Sequence, residues 1–339
     1  MLAPFQDSAV GFHRILQPGR IMKREGLVMD ARSLPFSGEH QSQYYDYQDK
    51  TYLEMTKDSD VMWSTIVYRP DMITKFLNLR KHNNNKMIYD MDDNFYAVPM
   101  DNPASEESKP LKSHFEACIK TADGLTVSVP MLKKLYEKLN KNVYVKKNGL
   151  DFTIWDKLKT KKNGKKIRIG WRGAFGHKDD LEMISGVMKA LQKDYKVEFV
   201  TLGWEGWKGK AEIHKYVTTF EYPEKLASLN LDIAVIPLVD SAFNRCKSNL
   251  SYLEFSALKI PTVLSPVENQ KGMEAIEARS SYDWYNALEK LIKDKEYREQ
   301  LGQKAFDFVH KNYDERDLVH DLTKWMDKLE RRRDLEPKR

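Results

Sequence analysis

The sequence predicts an α/β protein made of two doubly wound domains, and three observations predict it. Residues Leu231 to Pro266 read as buried strand, polar loop, amphipathic helix and buried strand. Two apolar strands joined through a helix form a βαβ unit, which implies a parallel sheet. Strand, loop and helix patterns recur on both sides of this stretch, and a length of 339 residues suffices for two such cores.

Composition bounds the function class. Hydrophobic residues make up 41% and charged residues 31%, as in a globular rather than a disordered chain. No run approaches 18 apolar residues, so no membrane span is predicted. The opening MLAPFQDSAV lacks a basic region before an apolar core, so no secretory signal is expected. Cys118 and Cys246 are the only cysteines and lie far apart in the chain. That argues for a reducing compartment and against a disulfide scaffold or a thiolate zinc site. A net charge of +6 favours acidic partners such as nucleotides, anionic surfaces or nucleic acid, or serves solubility alone.

Taken in order, the chain opens with a short apolar start and a polar loop holding Gly11, His13 and Arg14. Residues Ala31 to Asp49 read as a loop or irregular insertion, with Tyr44, Tyr45 and Tyr47 able to stack on an acceptor or to pack on the surface. VMWSTIVYRP is a strand pattern and DMITKFLNLRKH a helix pattern. KMIYDMDDNF is a strand followed by Asp90, Asp92 and Asp93, which either bind a cation, activate an acceptor or cap a loop. A helix, a strand, a second helix and the strand VYVKKNGLD follow. The Lys-rich run DKLKTKKNGKK reads as a solvated linker.

The second domain opens with KIRIGWRGAFGHKDD, read as a strand, a loop carrying Gly170, Gly173 and Gly176, and a helix. Glycines allow backbone to approach a phosphate, and Arg172 and Lys178 can neutralise one. The spacing is not the dinucleotide fingerprint, and the later GWEGWKGK is not a phosphate-binding P-loop. His177 either lies near a ligand or caps the helix. Asp179 and Asp180 suit the first helical turn by dipole. Further on, Ser248 is placed to cap a helix running to about Leu258. Lys247 and Ser248 then sit where free N–H groups attract anions. Glu254 follows six residues later, about 9 Å along the axis, flanking a stripe of Leu250, Leu253 and Ala257. A phosphate near Ser248 and a hydroxyl pair near Glu254 could belong to one nucleoside diphosphate. The alternative is an ordinary cap and a surface glutamate. The tail from Tyr282 to Arg332 reads as helical throughout.

DIAVIPLVDSAFNRCKSNLSYLEFSALKIPTVLSP resembles the donor-binding segment of GT-B glycosyltransferases, in the group related to family 4 of the retaining enzymes. The resemblance implies two Rossmann-like domains facing across a cleft, at 1–148 and 149–312, with a C-terminal helix at 313–339 crossing back to the first. It implies that Glu254 holds the donor ribose and that the helix start at Ser248 and Asn249 holds the diphosphate. GFHRILQP is similar to the family's first loop, which assigns Gly11 and Arg14 to the donor and His13 to catalysis. Gly173, His177, Lys178, Tyr222 and Asn244 join the donor set, and Arg172 and Lys247 join His13 as catalytic residues. The family's earlier glutamate, eight residues before the ribose glutamate, is Cys246 here, so neither sugar nor stereochemical outcome is implied.

The expected reaction is sugar transfer from a nucleotide-sugar, a UDP-sugar in the first instance, to a hydroxyl. No tightly bound cofactor and no metal are expected, because cations around the diphosphate stabilise the leaving group. The motif YDMDDNF and the short opening are similar to glycosyltransferases of tailed bacteriophages. That implies a hydroxymethylated base in phage DNA as acceptor and the host cytoplasm as location. A surface polysaccharide or lipid-linked acceptor, or an inactive nucleotide-sugar-binding protein, are the alternatives.

Overall fold

The computed structural model describes residues 2–5, 8–35, 59–65, 84–100, 112–161, 164 and 166–332. The chain divides into two compact units, Met1–Gly149 with Glu315–Arg339, and Leu150–Asp314. The first unit begins with β1 (Leu2–Phe5), α1 (Ala9–Gly11), a π-helical stretch (Phe12–Leu16) and α2 (Gln17–Arg24). There follow β2 (Arg32–Pro35), β3 (Val61–Ser64), β4 (Lys86–Met91), α3 (Lys112–Thr121), β5 (Gly124–Val127), α4 (Pro130–Tyr136) and β6 (Val143–Val145). All six strands are parallel, in the order β2-β1-β3-β4-β5-β6. The order reverses once, between β1 and β3, as in doubly wound sheets.

Two expectations need correction here. The stretch holding Gly11, His13 and Arg14 is helical, not a loop. Ser8 caps it by accepting from Gly11 N at 3.2 Å. Phe12, Ile15 and Leu16 stand at i, i+3 and i+4, and with Ile21 and Met22 they enter a core with Trp63 and Ile88. The segment from Ala31 contains an edge strand, β2, which tolerates Pro35 at its last position. Tyr44, Tyr45, Tyr47 and the helix pattern at 71–82 lie outside the described residues.

The second unit contains α5 (Phe152–Trp155), β7 (Ile167–Gly173), α6 (Lys178–Glu182), α7 (Ser185–Asp194), β8 (Val197–Gly203), β9 (Glu212–Lys215) and α8 (Tyr222–Ser228). It continues through β10 (Ile233–Ile236), α9 (Leu250–Ala257), β11 (Thr262–Leu264), β12 (Ile276–Glu277), α10 (Ser281–Lys293) and α11 (Lys295–Asn312). The parallel order is β12-β11-β10-β7-β8-β9. Numbered within the unit this is the Rossmann order 3-2-1-4-5-6, read from the other edge. Both faces of the sheet are covered. Ala234 and Ile236 join one core with Leu253 and Phe255, while Ile233 and Val235 join the other with Trp171 and Trp284. Burial on both faces is why these strands read as continuous apolar runs.

The chain then returns to the first unit as α12 (Glu315–Lys328). Val319, Leu322 and Met326 of α12 pack on Ile15, Met22 and Trp63. Lys86 Nζ donates to the carbonyls of Met326 and Asp327, both at 3.0 Å, which satisfies the C-terminal end of α12. No helix among the described residues is long and apolar enough to cross a membrane.

Candidate functional site

Ligands of open parallel sheets bind beyond the carboxyl ends of the strands, where the strand order reverses. In the second unit that point lies between β7 and β10. β7 ends at Gly173, and a Cβ there would come within 2.4 Å of the Trp171 indole, so only glycine fits. Gly170 and Gly173 thus lie in the strand, not in the loop expected to carry them.

Arg172, next to the last residue of β7, forms an ion pair with Glu254 of α9 at 2.6 Å. Tyr222, the first residue of α8, donates its phenol to the same oxygen of Glu254 at 2.9 Å. The Arg172 guanidinium also lies 6.0 Å from the centre of the Tyr222 ring. Glu254 is not the surface glutamate of the alternative reading. It is 1% exposed, because α9 is buried on most of its circumference. Burial works against both charges. For Arg172 the nearby carboxylate outweighs it, and the guanidinium is held protonated more firmly than in water. For Glu254 burial prevails over Arg172 and Tyr222, and its carboxyl stays above the usual range. Tyr216, half exposed just after β9, borders the pair. Burial pushes its phenol up, against the pull of Arg172.

The start of α9 supplies the second part of the site. The helix begins at Leu250 with Asn249 as N-cap, one residue beyond the cap expected at Ser248, and Asn249 makes no side-chain capping hydrogen bond. Its first N–H groups therefore face an uncapped end carrying the positive dipole. Two side chains from the turn after β11 fix the approach. Asn269 donates to the Lys247 carbonyl at 3.2 Å, and Gln270 to the Ser248 carbonyl at 3.2 Å. The Lys247 ammonium rests 4.2 Å above the Phe243 ring.

Asp180, read from the sequence only as a helix-start residue, is buried and joins the loops leaving β7 and β10. One oxygen accepts from Val239 N at 2.8 Å and from Asn244 Nδ2 at 2.7 Å, and the other meets His177 Nδ1 at 2.8 Å. The i, i+3 spacing of His177 and Asp180 was the available signal. The structure thus brings Arg172, Tyr222 and Glu254 together, links His177 to Asn244 through Asp180, and sets Lys247, Ser248 and Asn249 in one turn. Lys178 is exposed at the start of α6.

The candidates in the first unit have different surroundings. Arg14 is 1% exposed, and its guanidinium is committed to Asp90 at 3.0 and 2.7 Å, to Asn148 at 2.9 Å and to the Lys146 carbonyl. These contacts tie it into the interior of the unit. Asp90 is its counterion, so the run Asp90, Asp92, Asp93 is not a joint cation cradle. No group of three metal-ligating side chains occurs among the described residues. His13 is buried edge-on against Phe12, with ring centres 5.1 Å apart, and Gly11 is buried in α1.

No protein-family model matches the chain, and no curated protein matches it. Solved structures share the fold. A glycosyltransferase from Rickettsia africae ESF-5 superposes with a TM-score of 0.66 at 10% identity, over 97% of this chain and 98% of that one. An α-glucosyltransferase in complex with UDP and a 13-mer DNA containing an HMU base gives 0.63 at 10% identity, over 96% and 99%. A variant of S. aureus TarM in complex with fondaparinux, α-GlcNAc-glycerol and UDP gives 0.60 at 14% identity, over 82% of this chain. The chain spans only 58% of TarM's length. With its two parallel sheets, each flanked by helices, the chain has the GT-B fold of these glycosyltransferases.

Proposed function

We propose that the chain is a glycosyltransferase that moves a sugar from a UDP-sugar to a hydroxyl acceptor. One observation carries this reading. Arg172, Tyr222 and Glu254 converge beside an uncapped helix start at the reversal point of a Rossmann-ordered sheet. A buried carboxylate suits a ribose diol, and a helix N-terminus flanked by lysine suits a diphosphate.

In this reading the acceptor hydroxyl attacks the anomeric carbon, and its proton passes to the departing diphosphate or to water. The bond from that carbon to the terminal phosphate oxygen breaks, and the electron pair leaves with the diphosphate. Arg172, Lys178, Lys247 and the N–H groups after Asn249 meet the growing charge, a preorganised electrostatic contribution. Glu254 fixes the ribose, and Tyr222 fixes Glu254. His177, Asn244, Ser248 and Gly173 shape the phosphate side.

The proposed acceptor is a hydroxymethylated base in DNA. The α-glucosyltransferase neighbour in complex with DNA and the positive net charge support it. The test is melting of the protein with UDP, GDP and ADP and their sugars, followed by transfer assays on hydroxymethylated duplex, unmodified duplex and saccharides. Stabilisation by UDP with transfer to the hydroxymethylated duplex alone is the expected result. Transfer to saccharides alone would remove the DNA acceptor, and binding without any transfer would remove the enzyme.

A further inference from the structure

We infer that Asp180 is the positioning residue of the donor site, acting on the ligand only through the two loops it joins. This rests on the donor reading above. β7 and β10 pair at Ile169 with Ile233 and at Gly170 with Ala234, so their ladder ends before either strand does. The loops that follow, one with His177 and Lys178 and the other with Asn244 to Asn249, need another tie. Asp180 supplies it by holding the Val239 amide and the Asn244 side chain with one oxygen and His177 with the other. Asn244 closes the ring by donating to the Val239 carbonyl at 2.9 Å.

The environment of Asp180 is unusual for a carboxylate. It is 4% exposed, and among the described residues neither lysine nor arginine pairs with it. A buried carboxylate is costly unless several donors converge on it, and here three do. The surroundings are therefore shaped around this one group. His177 presents Nδ1 to the carboxylate, so its orientation is fixed. Asn244 opens the turn that leads to Lys247 and Ser248. The spacing between the two phosphate-side loops thus depends on Asp180. The ribose contact at Glu254 does not, because it is held by Arg172 and Tyr222.

The test compares the affinities of UDP and of uridine, by calorimetry or ligand NMR, for the wild type, Asp180→Ala and Asp180→Asn. Asp180→Ala should weaken UDP by about tenfold or more while uridine changes by less than about twofold. Asp180→Asn keeps one carbonyl acceptor and should recover part of the loss. Asn244→Ala opens the ring from the other side and carries the same prediction if Asp180→Ala does not fold. Equal loss of UDP and uridine, or unchanged UDP binding in folded variants, would overturn the assignment while the donor site stood. A wild type that binds neither ligand would overturn the donor reading and this inference with it.

Discussion

Glu254 and Arg172 are the residues on which the account turns. Glu254 is withdrawn from water, Arg172 is mostly covered, and each is held by the other. Breaking a buried pair from one side leaves a charge without a partner. Glu254→Ala should therefore lower stability by about 3 kcal/mol, read from denaturant unfolding. It should also weaken UDP binding. Converting both residues to methionine should recover much of the stability and none of the binding. Lys247→Ala should behave differently. Its ammonium is partly exposed, so stability should hold while turnover falls and UDP binds more weakly. At this scale Arg172, Tyr222 and Glu254 were each singled out in the sequence, but their mutual contact was not legible there. Nor was the commitment of Arg14 to Asp90, because that partner stands 76 residues away and on another strand.

Among the elements, α12 shows how a late helix completes an early sheet. Its first residue, Glu315, pairs with Lys146 of the segment after β6 at 2.7 Å, with both side chains buried. A Cβ on Gly149 would come within 2.6 Å of that carboxylate, so the close approach needs glycine. Burial raises the Glu315 carboxyl and lowers the Lys146 ammonium, each tempered by the other. Glu315→Ala should cost about 3–5 kcal/mol in the unfolding of the first unit. In the second unit, Arg168 of β7 ties Glu198 of β8 to Glu212 of β9. Hydrogen bonds from Arg168 and then His214 hold Glu212 at about 2, below its ordinary 4.5. A depressed carboxylate contributes stability above its unfolded value and loses it as pH falls through the folded one. Melting temperature should therefore decline between about pH 4.5 and 2, and a Glu212→Gln variant should lack that component. β9 was hidden from the sequence because EIHK is a short, half-exposed edge strand without an apolar run. The helix after β1 was hidden because its inward face carries His13, Arg14 and Gln17, polar residues whose burial only the folded partners explain.

For the whole molecule, the α/β class was legible because strands buried on both faces read as unbroken apolar segments and the helices between them are periodic. Strand order was not legible, since nothing local states that β10 pairs with β7 rather than with β9. That order is what turns a list of candidates into a site, by bringing the ends of β7 and β10 to one reversal point. The measurement that tests this most directly is calorimetric titration of UDP into the wild type and into Glu254→Ala. The account predicts saturable binding to the wild type, matched by about 2.7 kcal/mol of stabilisation at a hundredfold excess over Kd, and a loss of at least about tenfold in affinity in the variant. No binding to the wild type, or equal binding to both, would contradict it.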